Sequence, residues 1–345
     1  MQSQSERSPV RSQTARSPMQ GQTMRSHLRS QTVRSQPAQL QTVQSQHVQL
    51  GRGDFWPVRS QSAESQPAQS WPVRLRKRRA LIIGINYSSQ PDPNFRLRHC
   101  VEDAYSMAKF LCVGLGFAHH NVHVMTDGVD ETPWDLPTKE NILRAMSALV
   151  LDAQPYWHDS FFFYFSGLAL RTVRLDRDGQ PDGFTNYFCA MDYLGGYPSA
   201  DTPGLIAGNT MRNLMVEPLP RRCRLTALFD CNLYATPLDL PYVYDLNGVV
   251  ELSGHRDRLS SLHPRVSDAN IVSLGTRRYD PSSLMTLQGS GAMRCAFIHC
   301  MMIFGSTLTY EMLLRVLGEY MRGHGFPQRP ELSTSHEIDT DSQFI

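Results

Sequence analysis

The apolar positions fall into two regimes that divide near residue 72. After it, short continuous apolar runs alternate with stretches of helical spacing; before it, hardly any residue could anchor a core. The run "RALIIGINY" ends near Gly84 and has the pattern of a strand buried on both faces. In "LRHCVEDAYSMAKFLCVGLGF", Cys100, Ala104, Met107, Leu111 and Val113 fall close to helical spacing, with Gly114 and Gly116 near the end, which predicts a helix. "NVHVMTD" predicts a strand, "PTKENILRAMSALVLDA" a helix capped by Thr138, and "DSFFFYFSG" a third strand. "NYFCAMD", "CRLTALFD" and "NIVSLG" follow as strands, and "SGAMRCAFIHCMMIF" and "TYEMLLRVLGEYMRGH" as closing helices. The expected fold class is α/β: a mostly parallel central sheet flanked by helices in three layers. Chemistry in such folds gathers where strands end, which singles out the tails of "FFFYFSG" and "LTALFD".

Residues 1–72 repeat short words such as "RSQTARSP" and "RSQTVRSQPAQLQTVQSQ". Ordering each residue costs about 1–2 kcal/mol of backbone entropy, and this segment has too little apolar area to offset that. A disordered low-complexity tail over residues 1–72 is therefore expected, followed by one domain over residues 73–345.

Composition adds mainly exclusions. A formal net charge of +2 is too small to imply a nucleic-acid or anionic-membrane partner. The longest apolar stretches, Ala80 to Ile85 and Cys295 to Phe304, are far shorter than the roughly 20 residues that span a bilayer. The opening "MQSQSER" has no apolar core of a secretory signal. The seven cysteines are an odd number without a C-x-x-C pair and read as reduced thiols of an intracellular protein. Arg76-Lys77-Arg78-Arg79 has the composition of a nuclear address, but it directly precedes a strand, where charges solvate the entry to a sheet. The cytoplasm is the expected compartment and the nucleus the second.

The pieces "ALIIGINY", "LRHCVEDA", "PTKENILRAM", "FFFYFSG", "EPLPRRCRLTALFD", "LDLPYVY", "GSGAMRCAFI" and "RPELSTSHEID" stand in an order that resembles the type I metacaspases. These are caspase-like cysteine proteases of peptidase family C14, and the resemblance runs from about Arg79 to the C-terminus. In the family, the strand at residues 160–167 runs into Ser-Gly-His-Gly, whose His is the general base. Here the letters are Ser166-Gly167-Leu168-Ala169, so Leu168 stands at the base position. The later strand should run into Asp-(Ser/Cys)-Cys-His-Ser-Gly, which contains the nucleophile. Here it reads Asp230-Cys231-Asn232-Leu233-Tyr234-Ala235, with the register fixed by Leu238 to Tyr242, so Asn232 replaces the nucleophile.

Peptide attack needs a thiolate, and a nearby imidazole both favours that thiolate and protonates the leaving amine. Neither Leu nor a carboxamide can do either. Losing nucleophile or base alone costs a comparable hydrolase on the order of 10⁶ in turnover, because the two act as one unit. Leu168 should also carry an apolar side chain into a polar cleft, and Ala169 should crowd a backbone turn. Cys231 is a possible substitute nucleophile, but neighbouring strand residues point to opposite faces, so an ordinary buried thiol is the preferred reading.

The resemblance further implies an acidic pocket for Arg or Lys side chains, carried here by Cys100, Asp103, Ser166 and Asp230. Read locally, Asp103 could instead pair near a helix start and Asp230 could be a strand-end hydrogen bonder. The family's calcium site keeps Asp239, but its acidic pair falls on Gly208-Asn209 and its Asp-rich segment reads Asp182-Gly183-Phe184-Thr185-Asn186. Calcium wants about six to eight hard oxygens, so no metal is expected. "LDRDGQPDG", residues 175–183, reads as a solvated loop, and Arg256 and Arg258 lie in a basic loop that another protease could process.

These features lead to the expectation of a monomeric pseudoprotease that needs no cofactor. Its partners would be Arg- or Lys-containing peptides or an active relative. The alternatives are an active endopeptidase using Cys231 and a scaffold working through its tail.

Overall fold

The computed structural model describes residues 76–345 apart from 130, 155–157, 176–180, 232–235, 247, 249, 253–266, 278–290, 327 and 345. The expected tail over 1–72, Asn232, and the basic loop with Arg256 and Arg258 lie outside the described residues. Named in chain order, the elements are β1 Arg78–Gly84, α1 Cys100–Val113, β2 Val122–Thr126, α2 Lys139–Val150, β3 Ser160–Ser166, β4 Ala169–Leu175 and β5 Pro181–Cys189. They continue with β6 Leu205–Ala207, α3 Gly208–Met215, β7 Arg224–Asp230, β8 Tyr242–Tyr244, β9 Val250–Leu252 and β10 Asn270–Arg277. The last are α4 Ala292–Phe304, α5 Tyr310–Gly323 and β11 Arg329–Thr334.

The eight-stranded sheet runs β2-β1-β3-β7-β10-β11-β8-β9. Its first five strands are mutually parallel, and β11, β8 and β9 add an antiparallel flank. Strand periodicity sorts the side chains into two cores. Leu81, Ile83, Phe161, Phe163 and Phe165 pack with α2 and α3 on one face. Ala80, Ile82, Phe162 and Tyr164 pack with α1, α4 and α5 on the other. This is the expected three-layer arrangement. Burying each of these large side chains contributes about 1.5–3 kcal/mol, which is why a run as apolar as β3 takes the middle of the sheet.

Several boundaries depart from the sequence reading. "NYFCAMD" does not join the central sheet; β5 pairs antiparallel with β4 and β6 in a separate three-stranded sheet. Pro181 to Gly183, read as the end of a solvated loop, belong to β5. Val113 is 77% exposed although it shares the helical run, because it lies two residues, or about 200°, beyond the buried Leu111. The basic run at the start of β1 serves the sheet entry: Arg78 donates to the carbonyl of Leu115 and Arg79 to that of Leu151, each at 2.7 Å. All seven cysteines are free thiols. Among the described residues no helix is long and apolar enough to cross a membrane.

The start of α1 rests on the end of β1 because position 84 is glycine. A Cβ at Gly84 would lie 2.2 Å from the Cys100 carbonyl oxygen and 2.7 Å from the Ala104 Cβ, so any side chain there must lift the helix. Gly84→Ala should therefore destabilise the domain by about 1–3 kcal/mol, the usual cost of overpacking a core. Urea unfolding measures this, and unchanged stability would contradict the seating of α1.

Candidate functional site

The parallel register aligns the ends of the three central strands. Gly84 pairs with Ser166, and Ser166 pairs with Asp230. Asp103 comes to the same place on the first turn of α1, and Cys100 opens that helix. The four residues expected to form a basic-side-chain pocket are therefore brought together. Burial is the main cause that pushes the Cys100 thiol up to about 12; the Ser166 hydroxyl opposes the rise, and Asp103 and Asp230 contribute to it. That hydroxyl is buried beside Cys100 yet makes no hydrogen bond of good geometry.

Each carboxylate has structural work. Asp230 accepts the amide of Met293 at 3.4 Å and that of Arg294 at 3.0 Å, and the Tyr164 hydroxyl donates to it at 3.4 Å. These amides belong to the first turn of α4, whose own cap, Gly291, has no side chain to offer. Asp103 forms an ion pair with Arg294, its Oδ1 lying 2.9 Å from Nε. The two side chains are 4% and 18% exposed, so the pair is largely out of water and the carboxylate is the deeper member. The contact also needs Gly291, since a Cβ there would lie 2.7 Å from Asp103 Oδ1. Arg294 is the functional neighbour that sequence reasoning missed. Its signal was a cation in the first turn of a helix, the wrong sign for that end of the macrodipole.

Leu168 does not project into a polar cleft. It is 5% exposed and belongs to the apolar cluster that includes Tyr87, Phe165 and Phe188. Its amide donates to Tyr87 Oη at 2.8 Å, and its carbonyl accepts from Cys189 at 3.0 Å. Tyr87 donates onward to the Cys189 carbonyl at 2.7 Å. Ala169 does not crowd a turn either: it opens β4 opposite Phe188. Cys231 is buried in the same cluster as Leu168. Burial, then Asp230, Cys100 and Cys189, hold its thiol well above the ordinary value, so it stays protonated.

The residues present do not fit a calcium ion. A Cβ at Gly208 would lie 2.6 Å from the Pro237 carbonyl oxygen, so no acidic side chain can replace that glycine without displacing backbone. Asn209 is exposed, and Asp239 is a single carboxylate on a left-handed residue with φ 49°. Among the described residues no group of three or more His, Cys, Asp or Glu converges as metal ligands.

A mostly parallel sheet covered by helices on both faces, with Ser166 and Asp230 at adjoining strand ends, is the arrangement of a caspase-like domain. The family model of the metacaspase, peptidase C14 domain matches residues 78–241. Metacaspase-1B of Aspergillus fumigatus is 32% identical over 310 residues, covering 78% of this chain and 72% of that protein. Metacaspase-1B of Aspergillus clavatus is 32% identical over 87% of this chain and 82% of its own length. Metacaspase-1 of Candida glabrata is 33% identical over 78% and 75%. The chain belongs to the metacaspase family.

Burial raises the Asp103 carboxyl to about 6; Arg294 opposes that rise and Asp230 adds to it. The folded protein then holds a proton that the unfolded chain has released. The group favours folding at low pH, and that contribution is lost as pH rises through about 6. Asp103→Asn cannot ionise, so it should gain stability relative to the wild type between roughly pH 4 and pH 7. Melting temperatures across that range measure the gain, and a difference independent of pH would show that Asp103 titrates as an ordinary carboxyl.

Proposed function

We propose that this protein keeps the metacaspase fold without cutting peptide bonds, and acts by binding Arg- or Lys-containing peptides or an active relative. The observation that carries this reading is Leu168 at the position of the general base, buried in the core with its amide and carbonyl both engaged. Nothing at that position can accept a proton from a thiol or return one to a leaving amine. Asn232, at the nucleophile position, is a carboxamide and cannot attack. Cys231 is a poor substitute because an apolar, desolvated thiol is inert.

Binding is the capacity that the remaining residues support. Asp103 and Asp230 are each raised above the ordinary carboxylate range, burial being the largest cause in both. Carboxylates in that state have lost more hydration than α4 replaces, and a guanidinium or ammonium would favour their charged form. Asp103 Oδ2 and Ser166 Oγ are buried without hydrogen-bond partners, so the site has acceptors to spare. In this reading peptide binding needs no calcium, since Gly208 and Asn209 offer no carboxylate where the resemblance places an acidic pair.

The purified full chain should release no fluorophore from Arg- or Lys-terminated peptides, with or without calcium, above the level given by Cys231→Ala. Hydrolysis that Cys231→Ala abolishes would overturn the reading in favour of a relocated nucleophile.

A further inference from the structure

We propose that Arg294 is an intramolecular stand-in for the peptide's basic side chain, so that binding at Asp103 is an exchange of one cation for another. This rests on the reading that Asp103 and Asp230 receive Arg or Lys. The guanidinium is placed where such a ligand would have to go: Nε lies 2.9 Å from Asp103 Oδ1, over the strand ends that carry Ser166 and Asp230. Its other contacts are Nη1 to Ser106 Oγ at 2.8 Å and Nη2 to Cys295 Sγ at 3.1 Å. Asp103 and Ser106 stand three residues apart on one face of α1 and form a two-point receptor for a planar cation.

The helix that carries Arg294 gains nothing from a cation there. The residue is the third of α4, where the free amides already present partial positive charge. Asp230 satisfies those amides, and Asp103 is the carboxylate that pairs directly with the side chain.

The fit is also incomplete. Only one carboxylate oxygen is engaged, through Nε, while Asp103 Oδ2 stays buried without a hydrogen-bond partner. A guanidinium arriving from solvent could engage both oxygens in the parallel geometry that makes such pairs strong. The internal cation is the more exposed partner, 18% against 4%, so it is the member of the pair that an arriving cation would replace.

The test uses the full chain and a fluorescein-labelled peptide with a single Arg, alongside the same peptide with neutral citrulline. Arg294→Gln should bind the Arg peptide about tenfold tighter than wild type, as expected when the vacated site is a minority form of the wild type. The citrulline peptide should show no gain, and Asp103→Asn should abolish the preference in either background. Should Arg294→Gln fail to fold by circular dichroism, Ser106→Ala decides, since it loosens Arg294 and leaves Asp103 untouched; it should tighten Arg binding several-fold. Equal affinity of wild type and the loosened variant, with Asp103→Asn still destroying it, overturns the exchange and leaves the binding function standing. No preference for Arg over citrulline in any variant overturns the binding function, and the exchange with it.

Discussion

Asp230 ends the central strand β7 and accepts two amides from the first turn of α4, so one buried carboxylate fixes the end of the sheet against the start of a helix. Helix starts carry amides with no internal partner, and a buried start without an acceptor is costly. Gly291 supplies no cap, so α4 depends on an acceptor from outside its own sequence. With α4 held there, Arg294 projects over α1 and meets Asp103 and Ser106. The seating of α1 depends in turn on Gly84. The site is thus the meeting of two helix starts with three strand ends, and its charges belong to that joint as much as to any ligand.

That joint was partly legible in the sequence. The unbroken apolar runs of β1, β3 and β7 set three parallel strands, and their ends placed Ser166 and Asp230 side by side. Thr138 could be read as the cap of α2 because a cap acts within its own turn; its hydroxyl accepts the Asn141 amide at 3.3 Å. What was not legible acts across the chain. The pairing of Asp103 with Arg294 spans most of the domain, and nothing within either local motif announces it. The end of β5 was read from "NYFCAMD", but its partners β4 and β6 were missed because β4 mixes polar with apolar residues and β6 is only three residues long. Leu168 was recognised as a departure from the family pattern, but its destination could not be read: the core took it in.

The two departures from the family pattern differ in physical kind. Leu168, which stands where the resemblance places an imidazole, packs with Tyr87 and Phe188 in an apolar cluster where burying an imidazole would be costly. At Asp103 and Asp230 the polar groups persist at the cost of desolvation. Buried carboxylates are retained only when something compensates them, and here α4 compensates both: its amides serve Asp230 and its arginine serves Asp103. The proposed loss of cutting and the retained charge therefore rest on separate parts of the fold.

The most direct measurement of the central claim is intact-protein mass spectrometry after incubation with a peptidyl-Arg chloromethyl ketone, which alkylates a working nucleophile held beside a bound arginine. The expected spectrum is that of unmodified protein, because no thiolate stands at the strand end. A stoichiometric adduct mapped to Cys231, absent when excess Arg peptide competes, would contradict the claim and establish a working cysteine protease.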